Sequence, residues 1–161
     1  MIENDSYQWL EDVEGESPLA WVRERNAESG AELASRPGFE ELKGKIKAVL
    51  DSTAKIPFVE KKGRYCYNLW KDAGHERGLW RRTSLESYLS PEPVWETVLD
   101  LDVLSKDEGV NWVWAGAKFL PPENRLCLLS LSRGGADATV TREFDVEAKR
   151  FVEGGFHKPE A

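Results

Sequence analysis

Asn111-Trp112-Val113-Trp114-Ala115-Gly116-Ala117-Lys118-Phe119-Leu120 is an apolar, aromatic run of strand length, and Pro121-Pro122-Glu123-Asn124 ends it with a turn. Arg125 to Ser132 reads as a second strand. Arg133-Gly134-Gly135-Ala136-Asp137 is a second turn and Ala138 to Asp145 a third strand. Glu147-Ala148-Lys149 turns the chain again, and Phe151-Val152 starts a last strand. Short strands joined by tight turns pair with their sequence neighbours, so the segment is predicted to be an antiparallel meander.

The same pattern fills the stretch upstream, from Asp51 to Leu99. Ile56 to Glu60 reads as a strand with Pro57 near its start, where a proline is tolerated, and Lys61-Lys62-Gly63-Arg64 as a turn. Tyr65, Tyr67 and Leu69 then alternate with Cys66, Asn68 and Trp70. A loop through Asp72, His75 and Arg77 leads to a strand from Gly78 to Thr83, and Pro91 and Pro93 frame a loop before Val94 to Leu99. The two meanders repeat at roughly 45–50 residues, the length of a β-propeller blade. No sequence repeat accompanies the spacing, and a generic antiparallel sheet beside two helices fits the periodicity equally well. A blade buries its faces only against neighbouring blades, and propellers close with about four to eight of them. One blade and most of a second leave apolar faces open, which points to a piece of a larger protein or to self-association that covers those faces, with strands paired edge to edge.

Before Asp51 the pattern is helical. Ser17 is a candidate N-cap with Pro18 at the first helical position, where its missing N–H costs nothing. A helix from Pro18 to about Leu33 is predicted to bury Leu19, Val22 and either Trp21 or Ala27. A second helix opens around Pro37 and places Phe39, Leu42, Ile46, Val49 and Leu50 on one face. The fold class is therefore α+β: an N-terminal helical pair over residues 1–52, then antiparallel β-meander blades over 53–161, the first blade and most of a second.

Seven Trp, six Phe and four Tyr in 161 residues require a packed core. A net charge of -7 weighs against nucleic acid or an anionic membrane surface as the main partner. No run approaches the roughly 18 apolar residues that span a bilayer. The acidic N-terminus has no long apolar run and so no secretory signal, which makes the cytoplasm the default location and leaves the periplasm open for a chain whose signal was removed. Cys66 and Cys127 do not make a disulfide framework. Both lie in apolar strand-like runs, so buried free thiols are the default, and a bridge between them stays open.

Three motifs carry a resemblance. Asp5-Ser6-Tyr7-Gln8-Trp9-Leu10-Glu11-Asp12-Val13-Glu14-Gly15-Glu16, followed by Ala20-Trp21-Val22-Arg23-Glu24-Arg25-Asn26, resembles the entry segment of the prolyl oligopeptidase family of serine peptidases, with Ser6 where the family usually has proline. Arg77-Gly78-Leu79-Trp80-Arg81-Arg82-Thr83 is similar to the third strand of the first blade in bacterial members. Ser132-Arg133-Gly134-Gly135-Ala136-Asp137 is similar to the family's S-x-x-G-[SA]-D turn in the second blade. The resemblance covers nearly the whole chain. It implies a seven-bladed propeller, here incomplete, capping an α/β-hydrolase domain with a Ser-His-Asp triad that cuts short peptides, often after proline. The N-terminal helical segment would pack on that hydrolase domain, and the propeller would filter substrates by size.

No catalytic residue can be assigned within these 161 residues. No G-x-S-x-G elbow is present, and Ser132 lies at an expected hairpin rather than a strand-to-helix turn. His75 and Asp72 are close in sequence and support only a remote reading as a small hydrolase. His157 falls in an expected frayed tail. The two histidines and two cysteines lack zinc-ligand spacing, and no cofactor is implied. The resemblance places the acidic residue matching Asp137 near the domain interface, close to a substrate-binding arginine. Asp137 and its neighbour Arg133 are therefore the candidate substrate-gate or domain-interface residues, with stabilisation of its own turn as the alternative for Asp137. Arg81 and Arg82 alternate on a strand, so one is expected to make a blade-to-blade ion pair. Trp70, Trp80, Trp95, Trp112 and Trp114 are expected to pack between blades. The first reading is an N-terminal piece of such a peptidase, inactive alone; the other is a stand-alone interaction module.

Overall fold

The computed structural model describes residues 5–160. By compactness the chain falls into two units, one up to Val49 and one from Leu50 onward. The first unit holds a 3-10 turn, Gln8–Glu11, and two helices, α1 (Glu16–Ala34) and α2 (Phe39–Asp51), the latter running to the start of the second unit. Helix α1 begins earlier than predicted. Gly15, not Ser17, is its N-cap, and the Gly15 carbonyl accepts the Leu19 N–H at 3.1 Å. A side chain at Gly15 would run into the Asp12 carboxylate, so glycine suits this cap. Leu19 and Val22 are exposed rather than buried, and so are Phe39, Leu42, Ile46, Val49 and Leu50 of α2. Only Pro18 of α1 is buried, while Trp21 is half-covered by the rings of Tyr7 and Trp9 at 6.4 and 6.2 Å.

The second unit contains two antiparallel sheets. The first runs β1 (Glu60–Lys62), β2 (Tyr65–Asp72), β3 (His75–Ser84), β4 (Glu96–Asp100) in spatial order. A one-turn helix α3 (Leu85–Tyr88) joins β3 to β4, and α4 (Leu101–Glu108) leads into the second sheet. That sheet is ordered β5 (Trp112–Phe119), β6 (Leu126–Arg133), β7 (Val140–Asp145), β8 (Arg150–Phe151), with β9 (His157–Lys158) also on β7. β8 pairs with Phe144 and Asp145, β9 with Thr141 and Arg142, so two short pieces share the outer-strand position. Two meanders of four strand positions each are the expected blade architecture, and the sheets do not close into a ring.

The differences from the sequence reading have local causes. Ile56 to Phe58 is not a strand, because its carbonyls serve side chains: Tyr88 Oη donates to Pro57 O at 3.2 Å and Asn68 Nδ2 to Phe58 O at 2.7 Å. Lys61 and Lys62 belong to β1, paired with Cys66 and Tyr65, and the turn contracts to Gly63-Arg64, with Gly63 at φ 54. β3 starts three residues early at His75, and β4 and β7 start late, at Glu96 and Val140. Helix α4 follows an Asp100 carboxylate that accepts from the N–H groups of Asp102 and Val103 and ends on left-handed Gly109. His157 is not in a frayed tail; it is paired with Arg142 in β9.

One hydrophobic core spans both sheets. Alternation along β2 and β3 turns Tyr67, Leu69, Trp80 and Arg82 toward the second sheet, which answers with Trp114, Phe119, Leu129 and Phe144. Trp80 lies 5.0 Å from Trp114 and 5.8 Å from Phe144, and Tyr67 lies 4.8 Å from Phe119, centroid to centroid. Trp80, Trp112 and Trp114 pack between the sheets as expected. Trp70 and Trp95 do not: they flank Arg81 on the opposite face of the first sheet. Cys66 and Cys127 are both buried and free, so no bridge joins them.

Candidate domain-interface site

The β6–β7 hairpin carries both candidate residues. Gly134 and Gly135 follow β6 with φ 65 and 87, a left-handed pair that residues with side chains adopt poorly. Gly134 N–H is tied to Asn111 O at 2.8 Å and Ala136 N–H to Arg133 O at 3.2 Å. This turn leaves Asp137 exposed, with no hydrogen bond or ion pair to another described residue. Asp137 therefore does not staple its own turn. Arg133 leans away from it: the guanidinium pairs with Glu160 at 3.3 Å and lies 5.7 Å from the Trp112 ring. The structure puts both residues on one hairpin and does not join them. Ser132 is buried in β6 rather than presented on an elbow.

Gly63, in the β1–β2 turn, lies beside Asn124 of the β5–β6 turn, so those two turns share one end of the paired sheets. The β2–β3 and β6–β7 hairpins accordingly share the other end. At the β2–β3 hairpin His75 Nδ1 is 2.8 Å from Asp72 Oδ1, while Trp70 Nε1 donates to Asp72 Oδ2 at 2.9 Å. The His75 bond, then that of Trp70, holds the Asp72 carboxyl down to about 2. His75 and Asp72 form a hairpin clasp, without a serine or cysteine beside them in the bonding pattern. Among the described residues no cluster of His, Cys, Asp and Glu is placed to hold a metal ion, and no helix is long and apolar enough to cross a membrane.

The strongest polar constellation sits between the sheets. Arg82, almost wholly buried, donates through Nε to Glu96 at 2.7 Å and through Nη1 and Nη2 to the Glu147 carboxylate at 3.2 and 3.4 Å. It is the blade-to-blade ion pair expected of one of the two β3 arginines. Bonds to Arg82 and then Lys149 hold Glu96 down to about 2, and burial pushes the Tyr67 hydroxyl up against the opposing pull of Arg82. The acidic partners escaped sequence reasoning because they lie 14 and 65 residues from Arg82. The only local hint was a glutamate in a turn directly after an apolar strand.

Residues 3–161 match the family model for the prolyl oligopeptidase N-terminal beta-propeller domain. The chain is similar to Uncharacterized peptidase y4nA of Sinorhizobium fredii, 41% identical over 98% of this chain and 22% of that protein. It is 34% identical to Uncharacterized peptidase RP174 of Rickettsia prowazekii over 92% of this chain and 21% of that protein. Among solved structures, a post-proline cleaving enzyme from Rickettsia typhi superposes with a TM-score of 0.83 at 35% identity, over 92% of this chain and 22% of that one. The chain spans about a fifth of the length of the curated relatives it matches.

Proposed function

The chain belongs to the prolyl oligopeptidase family, and from that premise we propose that it is the N-terminal part of a longer serine peptidase that hydrolyses short peptides, often after proline. In this reading the segment supplies scaffold, a domain interface and part of the propeller gate, while an α/β-hydrolase domain elsewhere in the longer protein supplies the triad. The observation that carries it is the similarity at 35% identity to a post-proline cleaving enzyme, of which this chain matches 22%. The first-ranked test compares the purified 161-residue chain with the longer protein on a chromogenic proline peptide. Turnover is expected from the longer protein alone. Hydrolysis by the 161-residue chain that persists through repurification would overturn the reading.

Asp137 and Arg133 are the residues assigned to the interface. Asp137 projects from a glycine-fixed turn with no partner among the described residues, which suits a carboxylate that pairs with an arginine of the hydrolase domain and orients it. Without that domain, exposed apolar side chains such as Ile46, Val49 and Phe58 favour self-association of the isolated chain. Light scattering is expected to report oligomers, and a monodisperse monomer would count against this part of the proposal.

A further inference from the structure

Two consecutive arginines on β3 are treated in opposite ways. Arg82 meets two carboxylates on the face toward the second sheet. Arg81, on the other face, sits over two indoles, its guanidinium carbon 4.2 Å from the ring centroid of Trp70 and 4.2 Å from that of Trp95. Its Nε donates to Asn68 Oδ1 at 2.9 Å. Its two terminal nitrogens have no hydrogen-bonded partner among the described residues, and they are not sealed from solvent. No carboxylate among those residues comes within ion-pair distance of it, although Asp72 attracts it from further away.

The clamp around Arg81 is itself held. Asp72 fixes the Trp70 indole, Phe58 O fixes the Asn68 amide, the Lys55 ammonium lies 5.0 Å from the Trp70 ring centroid, and Tyr88 and Trp95 meet edge to face at 6.3 Å. Partial burial lowers the Arg81 pKa to about 10, so the group stays charged at neutral pH. A charged, immobilised guanidinium with a free two-nitrogen edge matches a planar carboxylate. Exposed Ile56, Phe58, Leu89 and Val94 lie on the segments that flank this face. The fitting partner is therefore an apolar surface with an acidic residue on it.

Each blade of a closed propeller has two neighbours. The first sheet meets one of them across its Arg82 face, where Glu147 supplies the counter-charge. Resting on the proposed function, we propose that Arg81 anchors an Asp or Glu carboxylate of the blade that closes the propeller on the opposite face, a part of the longer protein outside residues 1–161. The test couples amines to carboxylates in contact, using water-soluble carbodiimide on the longer protein carrying Arg81→Lys, followed by peptide mass mapping. The same protein carrying Arg82→Lys is the positive control and is expected to couple to Glu96 or Glu147. The expected result for Arg81→Lys is a new amide bond to an acidic residue beyond Ala161. Coupling only to Asp72, only to a second copy of the protein, or to nothing while the control couples, would overturn the Arg81 assignment and leave the proposed function standing. A natural protein with no further blades would overturn both.

Discussion

Arg82 and Glu147, 65 residues apart in sequence, meet across the two sheets through a forked pair of bonds at 3.2 and 3.4 Å. Arg82 is almost fully buried, but Glu96 and Glu147 are nearly half exposed at their side chains. Removing the cation therefore strands two carboxylates that water can partly reach. Arg82→Met is expected to cost about 1–3 kcal/mol in urea unfolding, and Glu147→Gln less than about 1 kcal/mol, because Arg82 keeps Glu96. Equal costs for the two would contradict this division of roles.

Trp80 is one of the rings through which the sheets touch. It is 2% exposed and meets aromatic rings of both sheets, Tyr67 among them at 5.5 Å. Trp80→Ala is expected to lower stability by about 3–5 kcal/mol, as deletion of a buried aromatic does elsewhere. Because the lost contacts belong to both sheets, calorimetry should show one lowered transition rather than a split one.

Acid should loosen the second unit in a defined window. Glu96 and Asp72 are both held at about 2 in the folded protein, by Arg82 and His75 first, whereas an unperturbed carboxyl titrates near about 4. A depressed folded pKa stabilises at pH values above the unfolded one, and the contribution disappears as pH falls through the folded value. The melting temperature is expected to hold from neutrality to about pH 5 and to drop between about pH 4 and pH 2. Glu96 is nearly half exposed, so its share of the drop is shallow. Glu96→Gln should flatten part of it; an unchanged profile in that variant would count against the assignment.

The two thiols should report opening. Cys66 and Cys127 are each 2% exposed, and burial pushes the Cys127 thiol up to about 12. Both are expected to resist a disulfide reagent in the folded chain and to react at the rate of unfolding. Fast labelling of Cys127 under native conditions would show that the space between the sheets admits solvent.

Asp137 carries the functional prediction. In the longer protein Asp137→Ala is expected to lower kcat/KM on proline peptides by about tenfold, the effect of losing roughly 1.4 kcal/mol of orientation. Its stability should hardly move, since the side chain has no partner among the described residues. Unchanged kinetics would remove Asp137 from the interface.

Strand order and the two-sheet plan were legible because Gly63, Gly134-Gly135 and Pro121-Pro122 punctuate runs whose alternation is plain. Helix α4 was missed although its signals stood in the chain: the Asp100 cap and the terminal Gly109. The intervening Asp102, Ser105 and Lys106 hid its apolar side. The Arg81 clamp was beyond sequence reading for another reason. Which of two adjacent arginines finds a carboxylate depends on strand parity and on residues far away, and composition alone does not show that Trp70 and Trp95 turn away from the second sheet while Trp80 turns toward it. The N-terminal helices were recognisable by period, but period does not say what lies against their apolar side chains.

The core shared between the sheets sets an order for synthesis. When Arg82 is added to the growing chain, Glu147 is still 65 residues from being added, a delay of roughly 3–13 s at about 5–20 residues per second. Through the first half of that interval Trp80 and Tyr67 have neither Trp114 nor Phe119 to rest against, and Phe144 arrives only near its end. The nascent first sheet must wait with its aromatic face uncovered, so this is the stage at which a chaperone or a slowed codon would matter most to the yield of folded protein.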